Sequence, residues 1–349
     1  LHKNPSGGEK MSKARRITSE IYINSKNITR NLEQYLKSIS ISDVLDGEAC
    51  TAEIELHDRE HLWLSDWFPQ RGDTCKISFT KQNWRGDEQV ETFDFDFWSI
   101  DEVSINFPPS VCKIKMTSIS GGSELKSADK SRSWEKVKLS KICADIASDA
   151  GHELFYDAEK DPDISRAEQK NESNLKFLHK LCKKYGLILR VSEKKLIIAD
   201  EEKLESQESV MTFSYGDEKL ISFSGTATLS EIYSGAEVEY SHGKKKQKII
   251  GKYEDKTRGG GKVLKIKKKV ASQGEAEQLA KKELRDKNKK EIRVRLSCIG
   301  DFAYLAGNVI ELDKSFGFFC GNYIIERADW KIGSGFECNL DVRKCLKGY

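Results

Sequence analysis

No apolar run in this 349-residue chain approaches the roughly 20 residues needed to cross a bilayer, so its pattern holds no membrane-spanning helix. The opening stretch LHKNPSGGEKMSKARR lacks the apolar centre of a secretory signal, and folding in a cytoplasm is expected. Met11 reads as the natural start, and residues 1–16 as a flexible leader or tag. No C-x-x-C pair occurs, and the nine cysteines are odd in number and scattered. That argues against a disulfide framework or a zinc site, and for buried thiols acting as small hydrophobes. A G-x-S-x-G elbow and a Walker A sequence are missing too, which removes the commonest hydrolase and nucleotide-binding signatures.

What the chain does contain is alternation. With 38% hydrophobic and 33% charged residues, it is heavily solvated and long enough for two or three cored domains. Residues 17–123 hold the period-two runs ACTAEIELHD, DTCKISFTK, ETFDFDFWSIDEVSI and SVCKIKMTSI, each predicting a strand with one buried face. A polar, glycine-containing run at 119–133 predicts a boundary. A small α+β unit over 124–205 follows. Leu139, Ile142, Cys143, Ile146 and Ala147 mark one helix face, ended by Gly151. The stretch 169–186, QKNESNLKFLHKLCKKYG, predicts a second amphipathic helix. Asn171, Glu172 and Ser173 are placed to satisfy its first turn, and Leu175, Leu178, Leu181, Cys182 and Tyr185 its buried face. Lys183 and Lys184 suit the last turn, and Gly186 the left-handed stop. Strands at 188–191 and 196–199 come next, and polar DEEKLESQES is expected to close the unit. Residues 206–349 return to strands, interrupted by a helix at 272–289 whose start carries the Ser272/Glu275 capping pair.

The two β-rich regions resemble each other. GDTCKISF (72–79) parallels GNVIEL (307–312), FWSIDEV (97–103) parallels YIIERA (323–328), and SVCKIKM (110–116) parallels GFECNLDV (335–342). A loop near 80–92 belongs to the first copy alone. The pattern predicts an internal duplication.

Chemistry-bearing residues do not converge in the sequence. Histidines stand at 2, 57, 61, 152, 179 and 242; His57 and His61 are four apart, but HDREHLW lacks the glutamate placement of a metalloprotease helix. His179 is expected to be structural. Asp94/Asp96 and Asp161/Asp163 are expected to be strand and turn pairs rather than an acid–base couple. Gly259, Gly260 and Gly261 predict a loop tip. Trp63, Trp67, Trp84 and Trp98 are expected in the core, with a subunit interface as the other place for such aromatics. Residues 241–295 carry 20 Lys/Arg against 7 Asp/Glu, about +13, leaving the remainder of a +3 chain near −10. Tyr253 is the single aromatic of that block, so stacking platforms for nucleic acid are missing. A solvated basic loop at 241–270, or a surface for an acidic protein, is expected. No catalytic, cofactor-binding or metal-ligating residue is assigned.

These residues resemble the phage late control gene D family, the hub proteins of contractile tails, and the related hub part of type VI secretion spike proteins. Gln169-x-Asn171-Glu172-Ser173-Asn174-Leu175-x-Phe177-Leu178 with Gly186 is similar to the family's Q-x-N-E-S-D signature, Asn174 standing where Asp is usual. The Ser272–Leu284 helix pattern (272–284) and Gly300-Asp301, Gly307-Asn308, Gly321 and Tyr323 add to the likeness. The resemblance implies a mainly β chain of two tail-tube-like β-barrel domains, 17–123 and 206–349, with an α+β insertion at 124–205. It further implies a homotrimer whose six barrels match the six-fold tube while its three-fold axis meets the spike, edge strands pairing across subunits. Spike, tail tube, tape measure and other baseplate proteins are the implied partners. Assembly in the bacterial cytoplasm, and then a place in the baseplate of a virion or tail-like particle, are implied likewise. A peptidoglycan-degrading tail enzyme and a basic nucleic-acid-binding protein are the alternatives from other classes.

Overall fold

Alternating side chains turn the chain into strands from its first described segment. The computed structural model describes residues 14–346 apart from 85, 87, 96, 97, 120–122, 127, 128, 160, 193, 194, 231, 243–246, 259 and 271. Residues 1–13 of the expected leader, His2, Asp96, Phe97, Gly259 and Lys244, Lys245 and Lys246 lie outside the described residues. β1 (Arg16–Ile23), β2 (Lys26–Asn27) and a single helical turn, α1 (Thr29–Leu32), precede β3 (Leu36–Val44) and β4 (Thr51–His57). β5 (Thr74–Gln82), β6 (Val90–Asp94), β7 (Trp98–Asn106) and β8 (Val111–Thr117) complete this part. In β4 the alternate residues Ala52, Ile54 and Leu56 are buried, as the period-two pattern requires.

The middle of the chain forms β9 (Asp129–Lys138), α2 (Leu139–Asp149), β10 (Glu153–Asp157), β11 (Asp163–Ser173) and α3 (Asn174–Lys184). β12 (Leu187–Ser192), β13 (Lys195–Asp200) and the short α4 (Glu201–Glu205) follow. The last part begins with β14 (Ser209–Phe213), β15 (Leu220–Ala227), β16 (Tyr233–His242), β17 (Gln247–Glu254) and β18 (Lys262–Ile266). Then come α5 (Gln273–Asn288), β19 (Ile292–Ile299), β20 (Val309–Leu312), β21 (Gly321–Ile332) and β22 (Phe336–Lys344).

Two sets of five strands are wired alike. Spatial order in the first is β3-β4-β8-β7-β5, and in the second β15-β19-β22-β21-β20. Both therefore run first, second, fifth, fourth, third along the chain. Their irregularities coincide as well. The fourth strand shifts register between Ile100 and Glu102 in one set and between Ile325 and Arg327 in the other. The first strand shifts between Leu36 and Ser38, and between Leu220 and Ser222. Bulges re-aim side chains and are hard to place by chance at matching positions. The glycines entering the third strand, Gly72 and Gly307, both take a left-handed φ, +95° and +96°. The segments paired by sequence fall on equivalent strands, and the extra loop near 80–92 is the tip of the β5–β6 hairpin.

β21 joins the two sets. Its first half pairs with β20, while residues 327–332 pair antiparallel with β3, from Arg327↔Val44 to Ile332↔Ile39. The mainly β fold is as expected. The strands of both sets lie in one 14-stranded sheet, and no ladder among the described residues closes on itself.

Three sequence expectations change inside the smaller units. The 119–133 run is not all boundary, because β9 begins at Asp129 and pairs with β11 in a two-stranded ribbon whose β11 strand buries Ile164, Ala167 and Gln169. The helix predicted over 169–186 starts later: β11 continues through Ser173, Asn171 takes φ +46°, and α3 opens at Asn174. Ser173 alone caps it, accepting from the Lys176 N–H at 3.4 Å. Phe177, Leu178 and Cys182 form its buried face, with Leu175, Leu181 and Tyr185 at the margins. α2 buries the five residues its periodicity predicts.

The expected basic loop is a sheet. β17 and β18 pair with the two sides of β16, and α5 lies across the sheet with Ala276, Ala280 and Leu284 fully buried. Helix and sheet approach closely at Gly251, where an added Cβ would lie 2.3 Å from the Ala276 carbonyl carbon. Backbone cannot yield as a side-chain end can. Gly251→Ala is expected to cost about 1–3 kcal/mol of stability, read as a lowered urea midpoint with an unchanged slope.

Candidate assembly surfaces and their clasps

Polar clasps fix the insertion to the junction of the two strand sets. Asp43 of β3 is buried, and its Oδ1 accepts from Arg190 Nη2 at 2.6 Å and from Cys50 Sγ at 3.2 Å. Asp43 Oδ2 accepts from the Ala306 N–H at 2.8 Å, and Arg190 also donates to the Ala306 carbonyl at 3.0 Å. One carboxylate thus ties the first set, the insertion and the second set together. Beside it, Asp46 accepts from the Leu189 N–H at 2.9 Å and faces His179 Nε2 at 3.0 Å. Gly47 lies under the His179 ring, where a Cβ would meet Nε2 at 2.6 Å. His179 is structural, as its place on the helix suggested.

The hydrogen bond with Asp46 raises the His179 pKa above its ordinary 6.5, against the opposing effect of burial. A raised folded pKa gives stability that is full below 6.5 and fades as pH rises through the folded value. Melting temperature should therefore fall between pH 6 and pH 9 more steeply for the parent chain than for His179→Gln. Parallel curves would remove His179 from this role.

A second clasp comes from the polar run expected to close the α+β unit. DEEKLESQES folds into α4, and Glu201 and Glu205 are buried. Glu205 Oε1 receives Arg285 Nη2 of α5 and Arg343 Nη2 of β22, each at 2.6 Å. Glu201 receives Arg343 at 2.7 Å and Lys289. Glu205 Oε2 also accepts from the Leu346 N–H at 2.8 Å. Burial by itself raises the Glu201 pKa, but the Lys289, Arg343 and Arg285 charges prevail and bring it down to about 2. The partners lie some 80 to 140 residues away, beyond any periodicity.

The residues of the resembling motifs are polar cross-links too. Gln169 and Asn174 are buried; Asn174 Oδ1 accepts from Gln169 Nε2 and Arg132 Nη2, both at 3.0 Å, while its amide donates to the Glu124 carbonyl at 3.1 Å. An aspartate there would lose that last donor. Gly300 leaves room for Phe336, whose ring an added Cβ would meet at 2.3 Å, and Asp301 receives buried Lys81 at 3.0 Å.

No other expected site assembles. Asp94 pairs with Lys76, and Asp161 accepts from the Ser140 N–H and hydroxyl at the start of α2. Trp63 and Trp98 are core residues, Trp84 donates to the Gly300 carbonyl at 2.8 Å, and Trp67 packs edge-on against Trp63 and Tyr35. Much of the basic block is matched locally, as in Lys248–Glu239, Lys252–Glu237 and Lys268–Glu283. No group of three or more metal-ligating side chains occurs among the described residues. A groove of about 830 Å³ between the insertion, α5 and β19 has both signs of charge interleaved along its walls and selects neither. No described helix is long and apolar enough to cross a membrane.

The remaining features are edges. Among the described residues, β7 beyond its contact with β5 and the Asp73 carbonyl through Trp98, Ser99 and Ile100 is paired by β8 alone, and β15 by β19 alone. Large apolar side chains stand exposed near both: Phe107 after β7, Ile221 on β15, and Leu229 beyond it.

No protein-family model matches the sequence, and no curated protein matches it. Solved structures do. A tail protein from Neisseria meningitidis shares a TM-score of 0.70 at 11% identity, over 94% of this chain and 96% of its own. The 43 kDa tail protein of prophage MuSo2 from Shewanella oneidensis gives 0.68 at 13% identity, over 93% and 96%. This is the phage tail protein fold. An Escherichia coli component of the type VI secretion system shares it too, at TM-score 0.60 and 8% identity, over 97% of this chain and 79% of that one. The tail-protein fold thus extends over both strand sets and the insertion, end to end.

Proposed function

We propose that this chain is the structural hub of a baseplate, in a contractile phage tail or a tail-like particle, acting as a trimeric adaptor between a six-fold tube and a three-fold spike. The observation that carries the reading is the doubled strand set. A chain holding two like units makes six units from three copies, so one ring can present six-fold surroundings on one face and three-fold on the other. The end-to-end likeness to phage tail proteins supports it.

In this reading 17–123 and 206–349 are two tube-like domains that complete their barrels in the assembly, and 124–205 is the insertion between them. Partners are a second and third copy, the spike, the tail tube, the tape measure and neighbouring baseplate proteins. The chain is assembled in the bacterial cytoplasm and then carried in the particle. The role is non-enzymatic and assigns no catalytic residue, cofactor or metal. Clearing of a peptidoglycan gel by the purified chain would contradict that assignment, as would DNA binding that weakens steeply with salt for the view that the basic sheet faces protein. The direct test is light scattering alone and with the cognate spike: a mass of three chains is expected, and a complex of any other stoichiometry would overturn the adaptor reading.

A further inference from the structure

We propose that Cys298 and Cys338 are a disulfide site, a pair that thiol–disulfide exchange with a low-molecular-weight disulfide converts into a covalent staple between β19 and β22. The inference goes beyond the hub reading and does not depend on it.

The fold sets these two cysteines, distant in the sequence, directly opposite each other on an antiparallel ladder. Two residues further on, the Gly300 N–H donates to the Phe336 carbonyl at 2.8 Å, which marks those facing residues as a hydrogen-bonded pair. Facing positions alternate, so Cys298 and Cys338 form the neighbouring hydrogen-bonded pair, where Cα atoms stand about 5.5 Å apart. Disulfides span Cα separations of roughly 4.4–6.8 Å. Cys298 Sγ donates to the Cys338 carbonyl at 3.4 Å, and the two thiols hydrogen-bond each other.

The duplication shows that packing does not demand a second thiol here. In the first strand set Leu56 faces Cys112 between β4 and β8, at the equivalent register position. The Asp58 N–H donates to the Ser110 carbonyl there, just as Gly300 donates to Phe336. One set thus carries a leucine where the other carries Cys298, and all four side chains are wholly buried. A second thiol–thiol contact, Cys143 with Cys182 between α2 and α3, has no such counterpart.

Burial, with the neighbouring thiol, holds the Cys338 thiol well above its ordinary 9, so thiolate is scarce in the closed fold. Exchange therefore enters while the chain folds or opens locally. One cysteine thiolate attacks the small disulfide, forms a mixed disulfide and expels one small thiol. The other cysteine then attacks the protein sulfur of that mixed disulfide, closing the Cys298–Cys338 bond and releasing the second small thiol. The chain loses two protons and two electrons, and the small disulfide is reduced to two thiols.

The test makes the full chain in cells with a reducing cytoplasm and in cells lacking the thiol reductases, where oxidised glutathione accumulates. Both are alkylated at lysis and digested without reductant. In the second preparation the peptides carrying Cys298 and Cys338 should be joined in most molecules, and the urea midpoint should rise by roughly 1 M over the reduced chain. Dithiothreitol should abolish both effects. Cys298→Leu copies the first set, so it should fold like the reduced parent and show no rise. Leu56→Cys should build the bond a second time, to Cys112. Alkylated thiols at both positions in the oxidising cells would overturn the proposal. So would either cysteine joined elsewhere, or a midpoint rise that survives Cys298→Leu. Joining of Cys143 to Cys182 is read separately in the same peptide map, and no outcome bears on the hub reading.

Discussion

Arg343→Met is expected to lower the unfolding free energy by about 3–5 kcal/mol, the loss typical of stranding one side of a buried ion cluster. Arg343 is 1% exposed and reaches Glu201, Glu205 and Glu326 from β22. Without it, Glu205 keeps Arg285 and Glu201 keeps Lys289, but the two carboxylates are left with one fewer charge inside a dry site. The loss should shrink when Glu205→Gln is added, because the uncompensated charge is then removed. Urea unfolding followed by circular dichroism reads both values, and equal losses for the single and double variants would contradict the coupling.

Acid titration reports on the same cluster. Glu201 is depressed from 4.5 to about 2, so its contribution is complete above pH 4.5 and is lost as pH falls toward 2. A shift of that size corresponds to about 3 kcal/mol. Glu201→Gln should therefore flatten the acid limb of the stability profile below pH 4.5 and lower the plateau above it.

Trp330→Ala is expected to cost about 3–5 kcal/mol, and to do so by parting the two strand sets rather than by loosening one. Its indole lies within 5.2–5.8 Å of Phe95, Phe93, Phe336 and Phe302, ring centre to ring centre. Phe93 and Phe95 come from β6 and the residue just after it, paired to β5 of the first set, and Phe302 and Phe336 from the chain of the second. Its Nε1 donates to the Tyr304 carbonyl at 2.8 Å, and on β21 it faces Ile41. Trp330→Phe should retain most of the packing and lose the hydrogen bond, worth about 1 kcal/mol. In the alanine variant, hydrogen exchange should speed up in β3 and β21 together; faster exchange in β21 alone would show that the sets hold together without the tryptophan.

The features legible in the sequence are those that repeat within a few residues. Alternation located β4, β5, β7, β8 and the C-terminal strands, and three- and four-residue spacing gave α2 its full buried face. The capping pair gave the start of α5, where Ser272 Oγ accepts from the Glu275 N–H at 3.2 Å. The internal likeness pointed to a duplication, but matching bulges, strand order and paired left-handed glycines were needed to align it. What stayed hidden depends on distant partners. α4 read only as a polar stretch closing the unit because its buried residues are carboxylates, and their cations sit on α5 and β22. β11 ran past the predicted helix start because its ribbon partner β9 holds Glu172 and Ser173 in register, a pairing no local pattern announces. Asn171, Glu172 and Ser173 advertised helix-start chemistry, and the neighbouring Gln169 and Asn174 are buried in a polar network around Arg132 that no local pattern announces.

The central claim is that two like strand sets in one chain make a six-unit ring from three copies. Single-particle images of the purified chain bound to its spike test it most directly. The account predicts a ring of three chains with near-six-fold density. A ring of another copy number would contradict it.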